Sequence, residues 1–184
     1  MHLRSPPTSS SARWRTFGNN ILNTTIRQLE TDDDRNSFDC GVESLNAWLK
    51  QMAGQNDRKR FTRTYVMVEA DDPKKVIGYY SLMAISAETE GLPSKKRLPE
   101  KVSAVLLARL ALDKNYTGQG LGESLLMHAL YTTSQASNLI GVHCVIVDAL
   151  NEDVANKFYM PYGFAPFQNE PLRLVFFLET LKDM

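Results

Sequence analysis

Hydrophobic and polar positions recur at different periods along the first half of the chain, and each period predicts a different element. Weak alternation over 24–29 predicts a first strand. After Gly41, apolar residues at helical spacing predict an amphipathic helix with one packed face. That face consists of Val42, Leu45, Trp48, Leu49 and Met52. The β-rich runs 65–69 and 76–87 flank the turn signal Asp71-Asp72-Pro73 and predict an antiparallel hairpin.

The second half of the chain predicts strands that alternate with helices. Residues 105–112 are apolar except for Arg109 and predict a strand buried on both faces. A glycine-rich break then precedes helical periodicity over 121–137. The pattern further predicts a surface loop at 91–102, a strand at 142–147, a short helix at 152–159 whose continuation Pro161 resists, and a last strand at 172–178. Together these elements predict a mixed α/β sheet in a single domain.

Length and charge narrow the class of protein. A chain of 184 residues fits one domain. We place this domain at 21–184, after an arm over 1–20 that is rich in serine, proline and arginine and is expected to be disordered. Arg4, Arg13 and Arg15 leave open that the arm binds nucleic acid. The 21 basic and 21 acidic residues balance, which excludes nucleic-acid binding through net charge alone.

The expected location follows from signals that the sequence lacks. No run of about 18 apolar residues is present to cross a bilayer, and no secretory signal is recognisable. Cys40 and Cys144 show no disulfide or metal-site spacing, so they are expected to be small buried residues with free thiols. These features predict a cytoplasmic protein that does not bind membranes.

The segment Tyr116-Thr117-Gly118-Gln119-Gly120-Leu121-Gly122 joins a predicted strand to a predicted helix. Unpaired amides and the dipole at a helix N-terminus attract anions, and glycines allow phosphate oxygens to approach the backbone. The spacing does not match a dinucleotide loop, because Glu123 stands where the third glycine would be, and no Gly-Lys-Ser or Gly-Lys-Thr follows. The loop therefore predicts a different phosphate ligand, or else a tight turn without a ligand.

Four motifs in register resemble the acetyl-CoA core of the GNAT N-acetyltransferases over about 106–164. They are Arg109-Leu110-Ala111-Leu112-Asp113, Gly120-Leu121-Gly122, Ala149-Leu150-Asn151 and Phe158-Tyr159-Met160-Pro161-Tyr162-Gly163-Phe164. Further matches resemble the GNAT toxins of type II toxin-antitoxin modules: Phe38-Asp39-Cys40-Gly41, Ile77-Gly78-Tyr79-Tyr80-Ser81 and Leu92-Pro93-Ser94. The resemblance implies the GNAT fold, with a mixed, mostly antiparallel sheet flanked by helices. Two positions depart from the family pattern: Thr117 replaces a longer Gln or Arg, and Pro161 interrupts the helix that carries Tyr159.

The resemblance implies that the chain binds acetyl-CoA as a co-substrate and uses no metal. The backbone of Leu110, Ala111 and Leu112 would hold the pantetheine arm. The pyrophosphate would lie against Thr117, Gly118, Gln119, Gly120, Leu121 and Gly122. Asn151 and Phe158 would line the far wall of the cofactor slot, and Asn151 equally suits a helix N-cap.

Tyr159 matches the tyrosine that acts as general acid in the family and protonates the thiolate of coenzyme A as it leaves. Tyrosine has an ordinary pKa of about 10, so the hydroxyl is protonated at neutral pH. From the residues alone, the alternative for Tyr159 is a packed aromatic beside Phe158 and Phe164. His128 and His143 fall in a predicted helix and a predicted strand and are expected to be structural.

The choice of acceptor follows from amine chemistry. An α-amine is neutral in a much larger fraction of molecules at neutral pH than a lysine side chain, and no residue of the sequence stands out as a base. The toxin family likewise implies aminoacyl-tRNA as the acceptor. Two basic clusters offer a surface for its phosphates, or are solvated faces. The candidate tRNA-binding residues are Arg58, Lys59, Arg60, Arg63, Lys95 and Lys96.

The resemblance predicts a toxin that acetylates the α-amino group of aminoacyl-tRNA and blocks translation. It also implies a homodimer and a neutralising antitoxin with a ribbon-helix-helix DNA-binding part. Two alternatives stay open at the level of the sequence. One is an acetyltransferase for protein N-termini or small amines, and the other is a non-catalytic scaffold that binds coenzyme A.

Overall fold

A seven-stranded sheet runs through the computed structural model, which describes residues 23–94 and 96–183. The strands are β1 (Thr24–Gln28), β2 (Arg63–Glu69), β3 (Val76–Glu88), β4 (Lys101–Leu112), β5 (Cys144–Asp148), β6 (Ala165–Pro166) and β7 (Arg173–Phe177). They lie in the order β1-β2-β3-β4-β5-β7-β6. The arm predicted over 1–20 lies outside the described residues.

Helices cover both faces of this sheet. The first helical segment, over 43–58, consists of α1 (Glu43–Ala47), a π-helical turn (Trp48–Met52) and α2 (Ala53–Arg58). The helix α3 (Leu121–Ser137) follows β4, and α4 (Glu152–Val154) continues into a π turn (Ala155–Tyr159) and a 3₁₀ turn (Met160–Tyr162). Further 3₁₀ turns occupy Lys114–Tyr116 and Leu178–Asp183. No helix within 23–94 and 96–183 is long and apolar enough to cross a membrane.

The strand pairing confirms the predicted fold class. All neighbouring strands are antiparallel except β4 and β5, which are parallel. The sheet is therefore mixed and mostly antiparallel. The predicted hairpin forms from β2 and β3, with Tyr65 opposite Tyr80. The helix predicted over 121–137 is present with those bounds.

Side chains of β3 alternate between two cores because successive residues of a strand point to opposite faces. Tyr80 packs in a cluster with Leu125 of α3. Tyr79 points the other way and stacks on Trp48, with 5.8 Å between ring centroids. Its hydroxyl donates to the Leu45 carbonyl. The first helical segment and α3 thus lie on opposite faces of the sheet.

Met52 does not lie on the packed face predicted for it. It is 41% exposed, and Ala53 is buried instead. The cause is the π turn, in which the Ala53 amide bonds to the Trp48 carbonyl five residues earlier, so that the turn contains one extra residue. Trp48 and Leu49 are buried against the sheet, as predicted.

The fourth strand differs from the prediction in length and burial. It begins at Lys101, and its residues Ala108, Arg109 and Leu110 are only half-buried. The reason is that β5 pairs with β4 over 104–106 and leaves the rest of that edge open. The short strand β6, paired with β7, was not predicted.

His128 and His143 occupy packed positions, as expected. His128 is half-buried in α3, and its Nδ1 lies 2.7 Å from the Tyr80 hydroxyl. Burial lowers the pKa of His128, which favours the neutral ring. His143 packs edge-on against Phe177, with 5.5 Å between ring centroids.

Candidate active site

A cleft opens where β4 and β5 separate. Their pairing covers 104–106 with 144–146, whereas β4 continues to Leu112. The cleft encloses about 270 Å³. Its walls are the β4 residues 107–112, then Cys40, Val42 and Leu45 near the start of the first helical segment, and Val147, Asp148, Leu150, Val154 and Tyr159 on the β5 side.

A β-bulge interrupts β4 where it lines this cleft. The register places Leu82 opposite Leu107 and then Ser81 opposite Arg109, so Ala108 is an extra residue in β4. One extra residue reverses which peptide groups face each side of a strand from that point onward. The bulge therefore sets the direction of the backbone donors and acceptors over 109–112.

Two backbone positions beyond the bulge face the cleft. The Asp113 amide donates to the Ile77 carbonyl of β3 at 2.8 Å. Peptide groups alternate in direction along a strand, so those of Ala111 face β3 as well, and those of Leu110 and Leu112 face the open edge. The Ala111 side chain is buried under the first helical segment. Of the three predicted pantetheine contacts, Leu110 and Leu112 have backbone groups free for a ligand.

The glycine loop forms the connection between β4 and α3. Gly118 and Gly120 both have a φ of +75°, a conformation that residues other than glycine rarely adopt. No atom lies within 4 Å of the point that a Cβ would occupy on either glycine, and Gln119 between them is exposed. The helix begins at Leu121 without a side-chain cap, so its first amides have no acceptor within the helix. The loop presents unpaired amides beside open space, as an anion site requires.

The remaining loop residues predicted to bind the cofactor take different positions. The Leu121 side chain is buried in the core, so this residue can contact a ligand only through its backbone amide. Gly122 lies against Phe158, whose ring would be 3.5 Å from an added Cβ. Thr117 donates its hydroxyl to the Lys114 carbonyl at 3.0 Å. That hydroxyl therefore stabilises the preceding 3₁₀ turn.

Tyr159 lines the cleft from the side of β5. The residue is 5% exposed, and its ring meets Phe158 and Phe164 edge-on, at centroid distances of 5.0 and 5.4 Å. No residue within the described ranges forms a hydrogen bond with its hydroxyl. Burial raises the pKa of Tyr159, so the hydroxyl keeps its proton at neutral pH. The ring is thus packed while the residue borders the cleft.

Pro161 is accommodated by a change of helix type. The α-helical part ends at Val154, and the chain continues through the π turn into the 3₁₀ turn that contains Pro161. A proline near the start of a helical turn loses no hydrogen bond, because the first amides of a turn have no partner there. Gly163, with a φ of +90°, then ends the turn. The helical path therefore continues beyond the bound predicted for it, and Tyr159 stays in the cleft wall.

Asn151 acts as the N-cap of α4. Its Oδ1 accepts a hydrogen bond from the Val154 amide at 2.9 Å. This N-cap role is one of the two that the sequence left open for Asn151. It does not conflict with the other role, which is to line the far wall of the cofactor slot.

The two thiols are free, and only one of them is buried. Cys144 is buried in β5, as predicted. The same expectation was wrong for Cys40, which is half-buried because it precedes α1 at the cleft wall. Its Sγ lies 3.2 Å from Asn46 Oδ1. Within 23–94 and 96–183, no group of three or more His, Cys, Asp or Glu side chains is placed to hold a metal ion.

A hydrogen-bond network that sequence reasoning missed connects the loop before α1 to the end of β4. The buried Asp113 carboxylate accepts from the Asp39 amide at 2.9 Å. The Asp39 carboxylate pairs with Lys114 and accepts from the Gly41 amide and the Asn46 side chain. Lys114 and these donors hold the pKa of the Asp39 carboxyl well below its usual range. The network holds one wall of the cleft in place, and its only sequence signal was that both aspartates fall in the family motifs.

The predicted tRNA-binding residues fall on different parts of the fold. Arg58, Lys59 and Arg60 are exposed at the end of α2. Arg63 begins β2 and pairs with Asp57 at 3.1 Å. Lys96 lies on the loop before β4 and pairs with Glu179, and Lys95 lies outside the described residues. The structure thus brings together Arg58, Lys59, Arg60 and Arg63, which form one basic surface.

Arg35 joins this basic surface and was not predicted. Its Nη1 lies 2.9 Å from the point that a Cβ would occupy on Gly54, and Arg58 Nη1 lies 3.6 Å from the same point. The two guanidinium groups therefore approach each other over one glycine of α2. Neither forms an ion pair with a carboxylate in the part of the chain that the structure describes. Like charges this close repel, and a phosphate group between them would offset the repulsion.

Comparison with known proteins places this arrangement among acetyltransferases. Residues 62–166 match the model of the acetyltransferase (GNAT) domain, and this range includes β4, the glycine loop and Tyr159. The tRNA-acetylating toxin of Mycobacterium tuberculosis (strain ATCC 25618 / H37Rv) is 32% identical over 160 residues. The alignment covers 86% of this chain and 94% of that protein.

Two similar solved structures extend the comparison to the fold. AtaT complexed with acetyl-methionyl-tRNAfMet has a TM-score of 0.80 and 33% identity, and the match covers 86% of this chain and 97% of that one. A tyrosine-to-phenylalanine variant of AtaT, bound to the C-terminus of the antitoxin AtaR and to acetyl-CoA, has a TM-score of 0.74 and 31% identity. That match covers 87% of this chain and 96% of the other.

Proposed function

Because this chain belongs to the acetyltransferase (GNAT) family, we propose that it uses acetyl-CoA to acetylate the α-amino group of aminoacyl-tRNA and so acts as a toxin that blocks translation. The observation that carries this proposal is the similarity to a tRNA-acetylating toxin along most of the chain. An acetylated amine is an amide, whose nitrogen lone pair is delocalised. Such a nitrogen does not attack the peptidyl ester on the ribosome.

The residues of the cleft fit acetyl-CoA. Leu110 and Leu112 offer backbone groups that no strand occupies, which suits the amides of a pantetheine arm. The amides near Gly120, at the positive end of the α3 dipole, suit a pyrophosphate. Phe158 packs beside the same helix start at Gly122. Bound acetyl-CoA would supply the activated acetyl thioester.

Tyr159 would give a proton to the departing thiolate. A general acid must hold its proton before the step and lie within reach of the leaving group. Tyr159 lines the cleft, and burial raises its pKa, which keeps the proton in place. Cys40 is the other candidate for chemistry in the cleft wall. Burial raises the pKa of its thiol, so the thiolate needed for a covalent acyl-enzyme is disfavoured.

The cleft suits an acceptor that needs little help to lose a proton. Among the described residues that line it, Asp148 is the one carboxylate, and Arg173 holds it at 3.3 Å. No histidine lines the cleft within the same part of the chain. An α-amine is neutral in a substantial fraction of molecules near pH 7, whereas a lysine side chain is almost entirely protonated. The site therefore favours an α-amine.

Incubation of the protein with labelled acetyl-CoA and total charged tRNA tests the proposed function. We expect label on the tRNA fraction, and we expect alkaline deacylation to release it as N-acetyl-amino acid. Label on protein N-termini or small amines instead would support the second acetyltransferase alternative. Coenzyme A binding without transfer to any acceptor would support the scaffold alternative.

Charge reversal at Arg58→Glu with Lys59→Glu is expected to weaken binding of aminoacyl-tRNA by roughly tenfold or more at about 0.15 M salt. Both residues are exposed and belong to the surface that Arg35 joins. Each lost phosphate contact also reduces the salt dependence, so the slope of log Kd against log salt should fall by about two. Binding is measured by filter retention at several salt concentrations.

The matched control for this charge reversal is Lys74→Glu with Lys101→Glu. Both lysines are exposed and form ion pairs, with Asp32 and Glu88, whereas Arg58 and Lys59 pair with no carboxylate among the described residues. The control makes the same change in net charge and is expected to retain most of the affinity. Equal losses in the two double variants, or a flat salt response of the unmodified protein, would contradict a tRNA surface at Arg58.

The finer details of partners and location are also proposals. We propose a cytoplasmic homodimer that is neutralised by an antitoxin with a ribbon-helix-helix DNA-binding part. In a similar structure, AtaT is bound to the C-terminus of its antitoxin AtaR. If the antitoxin of this chain binds in the same way, its N-terminal part is left to bind DNA, which supports the proposal.

A further inference from the structure

Arg109 lies in the cleft with its hydrogen-bond donors unused. The residue is half-buried and follows the bulge of β4 directly. Its guanidinium carbon lies 4.7 Å from the centre of the Trp48 ring, which stacks in turn on Tyr79. No residue in 23–94 and 96–183 accepts a hydrogen bond from this guanidinium or forms an ion pair with it. A guanidinium has five N–H donors, and a partly buried guanidinium normally donates hydrogen bonds to an acceptor.

Three other arginines with partly buried side chains differ from Arg109 in this respect. Arg27 binds Asp33 at 2.6 Å, Arg63 binds Asp57 at 3.1 Å, and Arg173 binds Asp148 at 3.3 Å. Stacking on Trp48 orients the plane of the Arg109 guanidinium but does not satisfy its N–H groups, which project from its edge. The protein therefore holds a permanent positive charge, already oriented, in the wall of the cleft.

The position of Arg109 assigns it to the acceptor rather than to the cofactor. Trp48 and Tyr79 belong to the core beneath the first helical segment. The glycine loop leads into α3, which covers the opposite face of the sheet. The diphosphate site and Arg109 therefore lie on opposite sides of the sheet, and the cleft between β4 and β5 joins them. An acceptor that approaches the thioester from the side of the sheet opposite to the diphosphate site therefore lies next to Arg109.

We propose that Arg109 binds the phosphodiester next to the 3′-terminal nucleoside of the acceptor and thereby positions the amine at the cleft. The inference rests on the proposed function. Apart from an acidic amino-acid side chain, the phosphates are the only anions at the 3′ end of an aminoacyl-tRNA. A guanidinium matches the geometry of phosphate with two parallel N–H bonds, which lysine cannot supply. Arg109 is thus a positioning residue for the acceptor.

Titration of the trinucleotide CpCpA and of adenosine into the protein loaded with coenzyme A tests this inference. The trinucleotide carries the phosphodiester and adenosine does not. We expect the unmodified protein to bind CpCpA roughly ten- to a hundredfold more tightly than adenosine, because the phosphodiester adds charge-assisted hydrogen bonds. Arg109→Gln should remove most of this difference, and Arg109→Lys should restore part of it. With charged tRNA, Arg109→Gln should raise KM about tenfold and change kcat much less.

Arg27→Gln is the matched control, since Arg27 is also a half-buried arginine but has a carboxylate partner, Asp33, and neither residue lines the cleft. It should keep the preference for CpCpA. An unmodified protein without this preference, or Arg109→Gln with the full preference, would overturn the inference. Unchanged coenzyme A affinity shows that each variant is folded. The titration needs no turnover, so a failure of tRNA acetylation is recorded separately from a failure of Arg109 to bind phosphate.

Discussion

Tyr159→Phe is expected to lower kcat for acetyl transfer by about 10²- to 10⁴-fold and to leave the affinity for acetyl-CoA within about threefold. The substitution removes a single oxygen atom. No hydrogen bond within the described residues is lost with it, and the edge contacts with Phe158 and Phe164 remain. The fold therefore stays intact, and the loss reports on the proton donor. Thiol release measures kcat, and calorimetric titration measures the affinity.

The pH dependence separates this role from a packing role. Burial raises the pKa of Tyr159, so the acid form persists as the pH passes the ordinary tyrosine value of about 10. We therefore expect no fall in kcat from loss of this proton below about pH 10. The control Tyr131→Phe removes an exposed hydroxyl from α3 and should keep the original kcat. Near-original turnover in Tyr159→Phe would rule out the acid role.

Local patterns in the sequence predict the elements of the fold well where one period runs without interruption. The helix over 121–137 has the predicted bounds, because its apolar residues keep helical spacing to the end and a glycine loop marks its start. Met52 was misplaced because a π turn changes the phase of a helix by one residue. An i to i+5 hydrogen bond has no period of its own over so short a segment, so periodicity does not reveal it.

The candidate site was predictable where a residue type or a family motif carries the chemistry. Gly120 could be selected because a glycine loop before a helix suits an anion, whereas Tyr159 was selected through its match to the family motif, since the residues alone equally suit a packed aromatic there. The bulge at Ala108 and the unpaired guanidinium of Arg109 depend on how β3 and Trp48 pack against β4. The approach of Arg35 to Arg58 depends on the missing side chain of Gly54. These are contacts between distant segments, and no local pattern encodes them.

Gly120→Ala is expected to weaken acetyl-CoA binding by roughly tenfold or more while costing about 1–2 kcal/mol of folding stability. The stability cost comes from the φ of +75°, which a Cβ disfavours. The loss of affinity has a second cause. The protein places no atom within 4 Å of the added Cβ, so the methyl group enters the open space beside the α3 amides. Calorimetric titration with acetyl-CoA measures the affinity, and thermal unfolding measures the stability.

Gly91→Ala separates the two causes. Gly91 has a φ of +80°, close to that of Gly120, and an added Cβ there would make ordinary contact with Phe167 at 3.7 Å. The backbone penalty is therefore similar, but the site lies on the loop before β4 and not on the glycine loop. Comparable destabilisation with unchanged acetyl-CoA affinity in Gly91→Ala would show that Gly120 acts through the phosphate site. If Gly120→Ala instead bound acetyl-CoA as tightly as the unmodified protein, the amides at the start of α3 would not be the pyrophosphate site.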